Sequence, residues 1–336
     1  MVTNAPKLTS AEIAMIWNTY MGDTMAICVL KHFLNTTEDK DVEPILRYAL
    51  ELSEQHIQVI KSLLSIEKLP IPHGFNEDDV DLEAPKLFSD VSYLRYIHHM
   101  GRSGLSSYSL ARAVAARKDT RKIFHHFLRD AEKLFDKNVE IMQEKGVFIR
   151  APYIDYPGEI EYADDVKFLG EFLGKPRPLL AIEIAHLGTN IEVSNVAKTL
   201  FLGFSQVARS HEISDYFKKG YTVAKKHGEE FMTVLRDDDV SSPSTWDSTI
   251  TDSTDAPFSD KLMLFQANIL SAFGIGDYGL GMAASLRKDL AAMYARLLVD
   301  LGLFAEKGAK LMIKHGWFEK PPQSLDREKL RTMNKN

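Results

Sequence analysis

Glu183, His186, His227, Tyr278 and Asp300 are the residues of this chain whose types and spacing could do chemistry. Glu183 and His186 stand three apart, the interval at which one helix face offers a carboxylate oxygen and an imidazole nitrogen to a single ion. His227, Tyr278 and Asp300 each fall on the apolar stripe of a different expected helix, and Asn190 lies one turn beyond His186. A buried carboxylate needs a pair, a proton or a cation. A metal held by Glu183, His186, His227 and Asp300, with Asn190 and Tyr278 beside it, is therefore one expectation. The ion would be iron, manganese or zinc, and any turnover would be a metal-dependent oxidoreduction. Glu12, His56 and Asp130 repeat a weaker form of the set, with Met15 where the second has His186. The competing expectation needs no ion: a glutamate at a helix start caps it, and a His, Asp and Tyr cluster satisfies its own hydrogen bonds.

A ferritin-type di-iron centre would need a carboxylate on each of two helices and Glu-x-x-His on each of the others. Ser53 precedes His56 by three residues, Ala224 precedes His227 by three, and no acid falls on the third-helix stripe. A mononuclear or vestigial centre is the most this pattern supports. The adjacent pairs His98, His99 and His125, His126 project about 100° apart on a helix and are expected to be partly exposed. Gly274, Ile275, Gly276 and Asp277 follow no strand, so these glycines serve helix packing rather than a phosphate. Cys28 lies off the stripe and has no evident base, so no nucleophile stands out.

The elements that must position these groups occur twice. Phe88, Ser89, Asp90 return as Phe258, Ser259, Asp260, and the register then holds through Gly104/Gly274, Tyr108/Tyr278, Asp119/Asp289, Asp130/Asp300 and Gly146/Gly316. Upstream, Glu12 returns as Glu183 and His56 as His227. The expected fold class is all-α, a tandem duplication of a ferritin-like four-helix bundle with a long crossover between helices 2 and 3 of each copy. The expected boundaries are 1–152 for the first bundle, 153–178 for a linker with a short helix around 162–173, 179–322 for the second bundle and 323–336 for a loose tail.

Thr9 and Glu12 are spaced to box the start of the first helix, LPIP ends the second, Asp119 is expected to cap the fourth, and Gly146 to close it. The middle connection of each copy, about 20 residues, can run the length of a bundle. With that crossover, His186, His227, Tyr278 and Asp300 fall within about two or three turns of one another. The two copies are expected to pack as an intramolecular pseudo-dimer.

The 336 residues are 45% hydrophobic and 26% charged with a net charge of -6, which suits a water-soluble globular chain and argues against a nucleic-acid partner. One cysteine excludes an internal disulfide framework and suits a reducing compartment. The first residues, MVTNAPKLTSAE, carry no signal pattern, and no run reads as the roughly 18 to 20 apolar residues of a bilayer span. A cytoplasmic location without membrane partners is expected.

The phrases GVFIRAP and GWFEKPP, the FSD and RKD turns, RPLLAIEIAHLGTN, GFSQVA and AKKHGEEF resemble an uncharacterised bacillus-type family related to spore coat protein F and built as tandem ferritin-like domains. The resemblance spans nearly the whole chain. It implies the fold and a spore-forming bacterial setting, and no reaction. It makes a non-enzymatic spore coat or sporulation-associated structural protein, with spore components as partners, the rival to metal or small-ligand binding in the second copy. A third expectation is an apolar ligand in a gap left by glycines on the buried stripe, with the volume of that gap as its test.

Overall fold

The computed structural model describes residues 6–169, 176–241 and 249–333. Its long helices are α1 Ser10–Thr36, α2 Glu43–Ile66, α3 Asp90–Val114, α4 Lys118–Glu144, α5 Ala181–Val207, α6 His211–Asp237, α7 Asp260–Ala284 and α8 Lys288–Lys314, with a short α9 Arg327–Met333. The eight long helices form two repeated halves.

The local signals act as their chemistry requires. Thr9 and Glu12 form the reciprocal capping box of α1. Gly146 and Gly316 close α4 and α8 at φ of 67° and 72°, where a side chain would be strained. The serines of the two FSD phrases, Ser89 and Ser259, cap α3 and α7 by accepting from the N–H groups of Ser92 and Leu262.

Asp119 differs from expectation. The cap position of α4 belongs to Arg117, whose guanidinium grips both carboxylate oxygens of Asp119 at 3.1 and 2.6 Å. Arg287 and Asp289 repeat the grip at 3.1 and 2.7 Å. The bidentate geometry of guanidinium and carboxylate outcompetes a single capping bond. Two further differences concern the connections. Of the short helix expected around 162–173, the described part carries a 3-10 turn at Val166–Leu169 while 170–173 lie outside the described residues, and Arg327–Met333 of the expected loose tail is helical. Gly174 and Lys175 of the linker, 242–248 of the second connection and 334–336 lie outside the described residues.

Contacts at the helix ends give the directions. Glu12 at the start of α1 meets Arg117 and Thr120 at the start of α4. Thr36 at the end of α1 meets Tyr93 at the start of α3. So α1 and α4 run together while α2 and α3 run the opposite way. In the second half Glu183 meets Leu286 and Arg287 in the same manner. Around each half the neighbours are α1 with α2 and α3, α4 with α2 and α3, then α5 with α6 and α7, α8 with α6 and α7.

The halves join where their middle connections cross. Val80 bridges Phe258 and Phe88 bridges Ile250, both antiparallel. Val80 corresponds to Ile250 and Phe88 to Phe258, so the two bridges are one pairing seen from either side. Around them Phe88 packs 6.1 Å from Phe204, and Phe258 packs 6.5 Å from Phe33 and 6.4 Å from Phe204, centroid to centroid. All four rings are buried. Full burial of such a ring contributes roughly 1.5–3 kcal/mol. Gly203 makes the fit possible, because a Cβ there would sit 2.5 Å from the Phe88 ring. The main hydrophobic core runs continuously through both halves.

By length and composition α1 reaches the minimum for a membrane span, contrary to the sequence reading, yet more than half of that stretch is buried inside the protein. Its apolar face is spent on the core.

Asp79, in the first connection, accepts from Ser259 Oγ at 2.6 Å, Lys261 Nζ at 3.1 Å and the Asn76 N–H at 3.3 Å. Its counterpart is Thr249, so only one side of the crossing is charged. Asp79→Ala is expected to destabilise the protein by about 2 kcal/mol by stranding a half-buried lysine. Thermal unfolding checks this, and an unchanged midpoint would show that the crossing holds without its charge.

Candidate functional site

Three helices of the first half bring a histidine between two acids. His56 of α2 faces Asp23 of α1 through Nδ1 at 3.3 Å and Asp130 of α4 through Nε2 at 3.3 Å. Ser53, one turn before His56, donates to Asp23 Oδ1 at 3.2 Å, and the Tyr108 hydroxyl of α3 lies 3.4 Å from His56 Nδ1. Burial alone would lower the pKa of His56, but the hydrogen bonds and charges of Asp130 and Asp23 reverse this and lift it to about 9.

The second half keeps the histidine and loses this electrostatics. His227 Nδ1 meets the Tyr278 hydroxyl at 3.1 Å, while Nε2 stands 3.6 Å from Asp300, beyond a hydrogen bond, and has no hydrogen-bond partner among the described residues. Ser194 stands where α1 has Asp23, and Lys226, where α2 has Gln55, takes Asp300 at 3.0 Å. Burial then dominates and lowers the pKa of His227, with Asp300 offsetting it only in part. The two histidines of one register therefore differ in charge at neutral pH.

Glu183 and Glu12 have a different task. Glu183 is fully buried and takes Arg177 Nη1 and Nη2, both at 2.9 Å, and the N–H groups of Leu180, Leu286 and Arg287 at 2.9, 3.0 and 3.2 Å. Five donors fill the roughly four lone-pair sites of a carboxylate. Burial raises the pKa of Glu12, but hydrogen bonds from Thr120, Thr9 and Arg117 outweigh it and bring it to about 2. These glutamates pin the start of each half's first helix to the start of its fourth.

Among the predicted residues, the structure thus brings His227, Tyr278 and Asp300 together. Ser194 sits at the level of His227; Glu183 lies about 16 Å before it along α5, and His186 about 12 Å before it. Asn190 donates to the Tyr294 hydroxyl at 3.3 Å. Among the described residues no group of three or more His, Cys, Asp or Glu side chains gathers as a metal-ligand set. Around His56 the two carboxylates occupy opposite ring nitrogens.

Beside His56 a cavity of about 500 Å³ opens, lined by Gly22, Asp23, Gly101, Gly104, Tyr108 and Ala131 of the first half. Its far wall comes from the second half, through Phe265, Gln266, Ile269 and Phe273 of α7 and Leu200 of α5. The corresponding space near His227 holds about 30 Å³. Small residues explain the difference: Gly22, Ala131 and Leu134 are matched by Val193, Leu301 and Phe304. A Cβ at Gly22 would meet nothing within 4 Å, so the gap there is open space.

Several residues escaped the sequence reading. Asp23 lies one position beside the glycine of the buried stripe, and its signal was that it stands alone as a charge between Glu12 and Lys31. The histidines expected to be partly exposed include His98, which is buried and pairs with Glu192 of the other half at 3.0 Å. His99 faces the cavity, where burial and then Arg102 bring its pKa to about 4, so it is neutral. Arg102 reaches Asp277 of the other half at 2.6 Å. Cys28 is inert: burial pushes its thiol up to about 12, and Sγ donates to the Asn76 carbonyl at 3.2 Å.

The two histidines should respond oppositely to pH. The stability that the His56 charge confers is fully present below its ordinary value of 6.5 and is lost as pH rises through about 9. His227 favours its neutral form, so its site loses stability as pH falls through 6.5. Imidazole NMR should show one histidine titrating near 9 and another below 6.5, and Asp23→Ser should move the first downwards. Two titrations coinciding near 6.5 would contradict the asymmetry.

The chain matches a family described as a protein of unknown function, DUF3231, over residues 1–160 and again over 167–330. Among curated proteins none matches the chain. Among solved structures, a provisionally assigned spore coat protein from Bacillus halodurans C-125 is similar at 20% identity with a TM-score of 0.41, covering 45% of this chain and 98% of its own. Matched once over each of its two copies, the chain belongs to the DUF3231 family.

Proposed function

We propose that the protein binds a small, largely apolar molecule in its first half, and that the second half serves as the well-packed partner that completes the cavity wall. The observation that carries this reading is the contrast between about 500 Å³ beside His56 and about 30 Å³ beside His227 in two copies of one unit. Interiors pack to near-crystalline density, so an unfilled gap of this size lined mainly by apolar side chains forgoes packing that an apolar occupant would restore. The volume lies within the range of small-ligand sites. No group beside it is arranged as a nucleophile with its base, so the reading is one of binding.

The helix directions and the ring of neighbours support treating each half as a ferritin-like four-helix bundle, and the reciprocal bridges support an intramolecular pseudo-dimer. Iron, manganese or zinc at Glu183, His186, His227 and Asp300 is the reading that this geometry favours less, because Glu183 is saturated by its donors. Elemental analysis after reconstitution tests it. A spore-associated structural role rests on the sequence resemblance, and localisation in sporulating cells tests that.

The cavity reading is checked with the neutral dye N-phenyl-1-naphthylamine. Its fluorescence should rise on binding the full chain, and Gly22→Leu should weaken binding by about tenfold or more. The same change should leave the thermal midpoint unchanged or raised, since it replaces a helical glycine that costs about 1 kcal/mol and points into open space. Absence of dye binding, or equal binding by the variant, would overturn the proposal.

A further inference from the structure

Two buried acceptors on the cavity wall have hydrogen-bonding capacity to spare. Asp23 is the first. Among the described residues its Oδ1 accepts from Ser53 alone and its Oδ2 from His56 alone. An ionised carboxylate oxygen has about two lone-pair sites, so each keeps capacity for another donor. Gln266 is the second: it belongs to α7 of the other half, is 5% exposed, lines the cavity, and its Oε1 has no hydrogen-bond partner among the described residues.

The positive charge nearby is not available to an anion. His56 commits one ring nitrogen to Asp23 and the other to Asp130, and a protonated imidazole between two carboxylates leaves one net negative charge beside the cavity. Of the other polar groups on the wall, His99 is neutral, Tyr108 is a phenol that can both donate and accept, and Asn18, Thr19, Ser53, Ser103 and Ser107 carry no charge. An incoming carboxylate would be desolvated against Asp23 with no cation free to receive it. A donor head would meet spare acceptors instead. The second half lacks both elements of the arrangement, with Ser194 in place of Asp23 and almost no volume.

Resting on the ligand-binding reading above, we infer that the cavity selects apolar molecules carrying a single hydrogen-bond-donating head, an amine or an alcohol, and rejects carboxylates of the same length.

The test is displacement of N-phenyl-1-naphthylamine from the full chain at neutral pH by octylamine, octan-1-ol and octanoate. Octylamine and octan-1-ol should each displace the dye about tenfold or more better than octanoate. Their order tells whether charge or donation alone decides: octylamine ahead assigns selection to the Asp23 charge, and parity assigns it to donation. Asp23→Asn, which keeps the shape and removes the charge, should narrow the gap between octylamine and octanoate while leaving octan-1-ol nearly unchanged, with circular dichroism to verify folding. If the dye binds and octanoate displaces it as well as the other two, the inference falls and the cavity reading stands. If the dye fails to bind, both fall together. The comparison of the three ligands on the unaltered chain decides even where the variant does not fold.

Discussion

Four buried phenylalanines, Phe33, Phe88, Phe204 and Phe258, hold the two halves of this chain together at the crossing of their middle connections. Each connection places its phenylalanine against a ring of the opposite half, so neither half completes its core alone. The serine beside each ring caps a helix, and the acid that follows ties that helix onward: Asp260 receives the N–H groups of Arg209 and Ser210, and Asp90 receives the Thr37 hydroxyl. Three consecutive residues thus couple the inter-half contact to a helix start and to the turn between the first two helices of the half. The placement of α7 over the first half, and with it the far wall of the cavity, depends on that joint.

Within this shared frame the halves have diverged by a few side chains at corresponding positions. Exchange of an aspartate for a serine at Asp23/Ser194, and of a glutamine for a lysine at Gln55/Lys226, is enough to reverse the balance at the histidine. One imidazole has a carboxylate on either nitrogen and favours its charge; the other has a phenol, a more distant acid already paired with lysine, and an interior that favours neutrality. Desolvation is the leading effect at both sites, and the local partners decide whether it is overcome. Volume diverges in the same way. The second half fills its stripe with Val193, Leu301 and Phe304 and packs well, while the first leaves the corresponding space open beside an ionised group.

The sequence by itself determined the duplication, the all-helical class, the start of α1 and the ends of α2 and α4, and the paired positions His56/His227, Asp130/Asp300 and Tyr108/Tyr278. These are properties of periodicity and register, which a linear chain displays directly. The cap by Thr9 and the closing glycines were legible for the same reason, since each acts over three or four residues. Only the tertiary structure decided what those polar residues do. Glu183 looks like a ligand in its own helix, but it becomes a saturated joint when Arg177, Leu286 and Arg287 arrive from elsewhere in the fold. Asp23 looks incidental until α2 brings it His56, whose other nitrogen meets Asp130 of α4. The cavity could not be read from either half, because its walls come from both and an empty volume is a difference between large neighbours, not a property of any residue. Partner supply and unfilled space arise from contacts distant in sequence, so which copy holds the cavity was a matter for the folded chain alone.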